Sequence, residues 1–361
     1  MNGPFFCCKM GGMQKYHIIT YGCQMNKSDS ERIATVLENL GYQPASKENE
    51  ANLIVVNMCS VRQSAVDRVY GLIPKFKKLQ EKNPSLKTVL AGCILKKDRK
   101  KFREEFDSIW EIKNYLDVSP KYQTNFRAFI PISNGCNNFC TYCVVPFTRG
   151  PLVCRDHHEI LKVVKNIAQK RLNPIRNAIS NGAREIWLLG QNVNDYTSPT
   201  DFSINFPKLL RMVNDIPSDF SIRFTSPNPK NFSDELIETM AESEKVAKYL
   251  NLPVQSGDNK ILKKMNRPYT VEEYKNLVKK IRQKIPEINL STDVIVGFPG
   301  ETKKQFQNTV KLFRELKFDY AYIAKYSPRA GTAASKMENN IPLTEKKQRE
   351  KILREIIAKN A

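Results

Sequence analysis

A chain of 361 residues exceeds one average domain and leaves room for two or three folding units, each able to bury a core. Hydrophobic residues at 41% and aromatics at 9% exclude wholesale disorder, and no apolar run approaches the ~20 residues that span a bilayer. Against 37 Asp and Glu stand 58 Lys and Arg, a net charge of +21. That excess favours a polyanionic partner, nucleic acid before membrane, with a generically basic enzyme as the plainer alternative.

The N-terminal "MNGPFFCCKMGG" has no basic leader followed by an apolar block. No signal peptide is expected, residues 1–14 read as a disordered extension, and the protein is expected in the cytoplasm. Cys7 and Cys8 lie in this stretch without ligand partners nearby, and Met13 is a candidate alternative start. A reducing compartment turns the nine cysteines away from disulfides and toward metal binding or catalysis.

Residues 15–120 repeat one theme three times. "YHIITYGC" ends at Cys23 and leads into the helical "SDSERIATVLENLGY", where Ser28 and Glu31 have capping-box spacing and Gly41 a stop signal. "ANLIVVNMC" ends at Cys59 before the helical "SAVDRVYGLIPKFKKLQ", and "LKTVLAGC" ends at Cys93 before "KKDRKKFREEF". Strand then helix at intervals of about 35 residues predicts a Rossmann-like parallel α/β domain. Each cysteine stands at the carboxyl end of its strand, the edge where ligands bind in an open parallel sheet. Three converging thiolates suit an iron–sulfur cluster, whereas three unrelated small buried side chains are the plainer reading.

A boundary is expected near residues 117–125, "DVSPKYQTN", and the pattern then restarts over 125–340. "AFIPISNGC", "REIWLLGQNV", "FSIRFTSP", "KYLNLPVQSG", "INLSTDVIVGFPG" and "YAYIAKYSPRAG" read as six strands, most of them separated by helical segments. Six β/α units predict an incomplete (β/α)6 barrel, since a closed one takes eight. Residues 173–181 read as a surface insertion, His157 and His158 as a solvated helix start, and 341–361 as a charged amphipathic helix.

Cys136, Cys140 and Cys143 follow the first barrel strand within eight residues. Three thiolates can hold three irons of a 4Fe–4S cluster and leave the fourth open, as a catalytic centre requires. Structural zinc is the alternative, but it needs a fourth ligand, and Cys154 is the only near candidate.

This C-x3-C-x2-C spacing, with Tyr142 before the last cysteine, is similar to the motif of radical S-adenosylmethionine (SAM) enzymes. With "YGCQMN", "NMCSVR", "AGC", "LLGQNVNDY", "RFTSPNP", "LPVQSG", "KKMNRPYT", "STDVIVGFPGET" and "YSPRAGTAA" in order, residues 16–350 resemble the radical SAM methylthiotransferases. "YGCQMN" and "NMCSVR" look like the subgroup that acts on isopentenyladenosine beside the tRNA anticodon. Related subgroups act on threonylcarbamoyl-adenosine in tRNA or on a ribosomal protein. A two-cluster electron-transfer protein is the non-enzymatic alternative.

The resemblance implies two 4Fe–4S clusters and SAM as cofactors. Cys136, Cys140 and Cys143 would hold the cluster that cleaves SAM, and Cys23, Cys59 and Cys93 an auxiliary cluster that presents the sulfur to be transferred. Tyr142, Gln191, Asn192, Ser226, Gln255 and Gly297 would surround SAM. A tRNA substrate, an electron donor such as flavodoxin or ferredoxin, no membrane and a monomer are implied likewise. Two departures stand out: Leu152 and Cys154 occupy places where the family usually has Glu and Ser, with Arg155 retained. The small RNA-binding β-barrel of the TRAM type is expected to be missing after residue 361, with tRNA binding correspondingly salt-sensitive.

Overall fold

The computed structural model describes residues 13–120, 126–172 and 184–359. These form two compact units, the first holding the described residues up to 120 together with 147–149, the second the remainder. Cys7, Cys8 and the insertion at 173–181 lie outside the described residues.

The first unit runs β1 (Lys15–Tyr21), α1 (Gln24–Asn39), β2 (Gln43–Pro44), β3 (Leu53–Cys59), α2 (Gln63–Lys82), β4 (Lys87–Cys93), α3 (Lys96–Phe102) and β5 (Ser108–Ile109). Its five strands are all parallel in the order β2-β1-β3-β4-β5. Every residue of β3 is buried, as a central strand covered on both faces must be. Ile54, Val56 and Met58 pack with Val69, Phe76 and Phe102 on one side. Leu53 and Val55 meet Ile33, Leu37, Trp110 and Tyr115 on the other. The two-residue edges β2 and β5 are too short for a periodicity to register.

Helix α1 starts earlier than the Ser28/Glu31 spacing predicts. Cys23 is its N-cap, and the Asn26 side chain reaches back to accept the Cys23 N–H at 3.3 Å. Ser28 therefore lies inside the helix, where its hydroxyl accepts from Arg32 Nη2 at 3.3 Å. Glu31 is buried, and its Oε2 has no hydrogen-bond partner among the described residues. Burial outweighs the nearby Arg32 and Lys27 charges and pushes this carboxyl up to about 7. A carboxyl raised in the fold keeps its contribution at low pH and loses it as pH rises through the folded value. Glu31→Gln is therefore expected to leave stability unchanged near pH 4 and to raise it by about 1–3 kcal/mol at pH 8. Paired thermal melts at the two pH values check this, and equal shifts at both would refute it.

The second unit opens with β6 (Arg127–Pro131), the short β7 (Ser133–Asn134), α4 (Val145–Thr148, its last two residues counted with the first unit), β8 (Val153–Cys154) and α5 (His157–Leu172). It continues through β9 (Glu185–Leu189), α6 (Phe206–Asn214), β10 (Ser221–Phe224), α7 (Asp234–Glu242), β11 (Tyr249–Asn251), α8 (Asn259–Lys264) and α9 (Val271–Lys284). It closes with β12 (Asn289–Val296), α10 (Lys303–Leu316), β13 (Tyr320–Lys325) and α11 (Leu343–Ala358). The six expected strands form two three-stranded parallel sheets, β6-β9-β10 and β11-β12-β13. A parallel bridge between Ile222 and Val246 carries the pairing from one to the other. The result is an open, partial barrel. β7 and β8 form a separate antiparallel pair beside it.

Two expectations change here. His157 is buried, not solvated, because its ring Nδ1 bonds Ser198 Oγ at 2.8 Å. The charged helix α11 buries part of its charge. Arg349 Nη1 bonds Glu301 Oε2 at 2.6 Å, and Lys346 Nζ donates to Asn339 Oδ1 at 2.7 Å and the Tyr326 carbonyl at 3.2 Å. Among the described residues no helix is long and apolar enough to cross a membrane.

Candidate metal centres

In the first unit, β3 and β4 end together. Cys59 and Cys93 are paired in register as the last residues of neighbouring strands. Cys23 follows β1 and caps α1. The Cys59 thiol is within hydrogen-bonding reach of both Cys23 and Cys93, and these contacts raise its pKa while drawing Cys23 down to about 6. Sequence convergence at a sheet edge thus becomes a set of three thiols with Cys59 at its centre.

Motif asparagines explain how. Asn26 Nδ2 donates to Asn57 Oδ1 at 2.9 Å, and Asn57 Nδ2 returns a bond to the Asn26 carbonyl at 2.8 Å. This reciprocal, buried pair ties the loop of "YGCQMN" to the strand end of "NMC". Gly92 allows the close approach of β4: its φ is +100°, and a Cβ there would lie 2.3 Å from the Met58 carbonyl oxygen. Gly92→Ala should destabilise the first unit by roughly 2–5 kcal/mol, combining left-handed strain with overpacking. Denaturant unfolding checks the loss, and a variant as stable as the parent would refute the close-approach reading.

Sequence reasoning missed one neighbour. Arg149 is buried, with Nε donating to Cys93 Sγ at 2.9 Å and Nη2 to Asp29 Oδ2 at 2.5 Å. Asp29 is itself fully buried and lies 3.4 Å from Arg32 Nη2. The only prior signal was an acidic residue on the buried stripe of α1, beside Met25, Arg32 and Ile33.

In the second unit, the loop after β7 carries the other trio, and each sulfur accepts one N–H. Asn138 Nδ2 reaches Cys136 Sγ at 3.5 Å, the Val145 amide reaches Cys143 Sγ at 3.5 Å, and Arg267 Nη1 reaches Cys140 Sγ at 3.6 Å. Burial raises the Cys136 thiol and pushes Cys143 up to about 12, and a metal bound there would displace these protons. The segment "KKMNRPYT" holds the loop in place. Asn266 donates to the carbonyls of Asn138 and Phe139 at 3.2 and 3.1 Å, and the Thr141 amide donates to the Met265 carbonyl at 3.0 Å. Arg267 also lies over the Tyr269 ring, 5.0 Å from its centroid.

The other predicted residues stand as follows. Tyr142 packs against Ile261, Met265, Phe298, Tyr326 and Ala334. Gln191, just past β9, accepts the Gly135 amide at 2.5 Å, next to Cys136. Asn192 is buried, donates to Asp195, and leaves Oδ1 without a partner among the described residues. Ser226 after β10 and Gln255 after β11 hold φ of +57° and +68°, uncommon for residues with a Cβ. Such strain costs about 1–3 kcal/mol each and concentrates at binding sites. Gly297 follows β12, its amide held by Glu301 Oε2 at 2.7 Å, and a Cβ there would lie 2.4 Å from the Lys346 side chain. All five follow the carboxyl ends of barrel strands. Cys154 lies in β8 opposite Ser133, outside the three-thiol loop, with its pKa raised by burial. The Leu152 amide bonds Asn137 Oδ1 at 3.0 Å.

Among the described residues no group of His, Cys, Asp or Glu is arranged to hold a single metal ion. A four-iron cluster makes a different demand, one thiolate on each of several irons. Both trios offer thiols alone, buried at Cys59, Cys93 and Cys136 and half-buried at the other three. N–H donors reach Cys93 in the first trio and all three sulfurs in the second, and both sets therefore fit such clusters.

Comparison with known proteins agrees with this chemistry. Residues 130–313 match the Radical SAM superfamily, and residues 15–111 the uncharacterized protein family UPF0004. A tRNA-2-methylthio-N(6)-dimethylallyladenosine synthase of Alkaliphilus oremlandii is 41% identical, over 94% of this chain and 77% of its own. The protein of that name from Carboxydothermus hydrogenoformans is 38% identical over 93% and 81%. Among solved structures, the radical SAM methyltransferase TsrM from Kitasatospora setae, with cobalamin and a 4Fe–4S cluster bound, superposes with a TM-score of 0.61. It shares 14% identity over 90% of this chain and 77% of that one, a likeness of fold alone.

Proposed function

The chain belongs to the radical SAM methylthiotransferase family, an enzyme class that uses SAM and 4Fe–4S clusters, and we propose that it adds a methylthio group to carbon 2 of N6-isopentenyladenosine next to the tRNA anticodon. The observation that carries this reading is the pair of three-thiol sets, one at the carboxyl edge of the first unit's parallel sheet and one in the loop after β7 of the second unit. The relatives named above supply the substrate.

In this assignment residues 125–340 form the SAM-cleaving domain and residues 15–120 the sulfur-presenting one. Cys136, Cys140 and Cys143 hold the first cluster, and Cys23, Cys59 and Cys93 the second. When bound, the clusters and SAM supply one-electron cleavage chemistry and a transferable sulfur. The chain's own residues do the positioning. Asn138, Arg267 and the Val145 amide each hold one sulfur of the first trio by an N–H. Gln191 fixes the loop at Gly135, and the strand-end residues Asn192, Ser226, Gln255 and Gly297 would line the edge where SAM lies, with Tyr142 held in the apolar cluster of Ile261, Met265, Phe298, Tyr326 and Ala334. The net charge of +21 suits a tRNA. We further assign an external one-electron donor of the flavodoxin or ferredoxin kind, a monomer, and a cytoplasmic location. All seven described cysteines are free, as a reducing compartment maintains them.

Two measurements test this. Reconstituted protein should carry about eight irons with little zinc. Expressed in cells lacking their own tRNA methylthiotransferase, it should restore the methylthiolated isopentenyladenosine, read by mass spectrometry of tRNA nucleosides. Zinc in place of iron, or unmodified nucleoside alongside a fully loaded protein, would overturn the assignment.

A further inference from the structure

We infer that Arg149 is a positioning residue for the cluster on Cys23, Cys59 and Cys93, holding the Cys93 sulfur by a charged hydrogen bond and setting the cluster's potential. The inference rests on the cluster assignment above. Arg149 presents Nε–H to Cys93 Sγ at 2.9 Å, while its Nη2 engages Asp29 at 2.5 Å. Both charged side chains are almost wholly excluded from water, so the pair is held in one geometry. The anchor is itself anchored, because Arg32 lies 3.4 Å from Asp29 and donates to Ser28 Oγ and the Leu116 carbonyl.

A buried ion pair on this scale is no general aid to stability, since desolvation offsets most of the attraction. Its placement is better accounted for by what the remaining N–H does. Hydrogen bonds and positive charge at cluster sulfurs favour the reduced, more negative state, and they are among the main determinants of potential. Cys93 is the thiol that receives this donor, although it ends a strand in register with Cys59. The three sulfurs are therefore made inequivalent by the protein. A cluster held there would have ligands of graded donor strength.

The experiment uses the full chain carrying Cys136→Ala, Cys140→Ala and Cys143→Ala, so that only this cluster is observed. An iron content of about four tests the underlying cluster assignment separately. A redox titration followed by electron paramagnetic resonance then compares Arg149, Arg149→Met and Arg149→Lys. Arg149→Met is expected to lower the reduced-to-oxidised ratio at fixed potential about tenfold, a shift of about 59 mV to the negative for one electron. Arg149→Lys should shift in the same direction by less, because one ammonium cannot serve Asp29 and Cys93 together in the same planar fork. Should Arg149→Met fail to fold, Arg149→Lys carries the comparison. An unchanged or more positive potential at full iron content would overturn the inference. Protein labelled with 15N in the arginine guanidino groups gives an independent readout. A nitrogen coupling to the reduced cluster should be present with Arg149 and lost with Lys, and its absence from the parent protein would also overturn it.

Discussion

Cys140→Ala is expected to abolish reductive cleavage of SAM, whereas Cys59→Ala is expected to keep that cleavage and stop methylthiolation. The separation follows from where the thiols stand. Cys140 belongs to the trio of the second unit, whose sulfurs take N–H donors from Asn138, Val145 and Arg267. Cys59 is the central thiol of the first unit, in reach of both Cys23 and Cys93. On the proposed assignment, removing either would leave two ligands where three are needed, each loss confined to one centre. Formation of 5′-deoxyadenosine under reductant, measured beside modified nucleoside, distinguishes the two. Equal loss of SAM cleavage in both variants would contradict the assigned roles. Arg267→Met should fall between them, lowering cluster retention or activity about 10–100-fold, as expected when an outer partner of a metal ligand is removed.

The largest stability effect is expected from Arg349→Met. Arg349 and Glu301 form a buried pair, with the guanidinium also reaching the Glu301 carbonyl at 3.1 Å. Glu301 in turn holds the Gly297 amide. Removing the cation strands a buried carboxylate, at a cost of about 3–5 kcal/mol. For a unit of this size the melting temperature should fall by about 6–20 °C. Burial already raises the Glu301 pKa, against the Gly297 amide and Arg349, which lower it. Without Arg349 it rises further. A carboxyl raised in the fold is tolerated while protonated and becomes destabilising as pH rises through its folded value. The deficit should accordingly be smaller at pH 5 than at pH 8, and Glu301→Gln added to Arg349→Met should recover part of it. A pH-independent loss would show that packing, not the stranded charge, is responsible.

Much of this architecture was legible because it is periodic. The runs ending in Cys23, Cys59 and Cys93 mark strand ends, and six further apolar runs mark the barrel strands. What escaped was set by partners distant in sequence. Cys is a poor N-cap by preference, so the capping signal at Ser28 looked stronger than the true start at Cys23. That start is fixed by the bond between Asn26 and Asn57, 31 residues apart. His157 is buried by Ser198, and Arg267 reaches Cys140 across 127 residues. Arg149 carried no local signal, because its importance lies in Asp29 and Cys93, far upstream.

The register of Cys59 with Cys93 has a consequence for how the protein must be made. Neighbouring strands run about 4.7–4.9 Å apart, within the Cα separation of about 4.4–6.8 Å that a disulfide accepts. On the proposed assignment, the backbone that would present two ligands to iron therefore presents the same two thiols to an oxidant. Iron delivery and oxidation compete for one strand end, and whichever arrives first excludes the other. Maturation of this chain would for that reason be a race, run in favour of iron only while the thiol pool around it stays reduced.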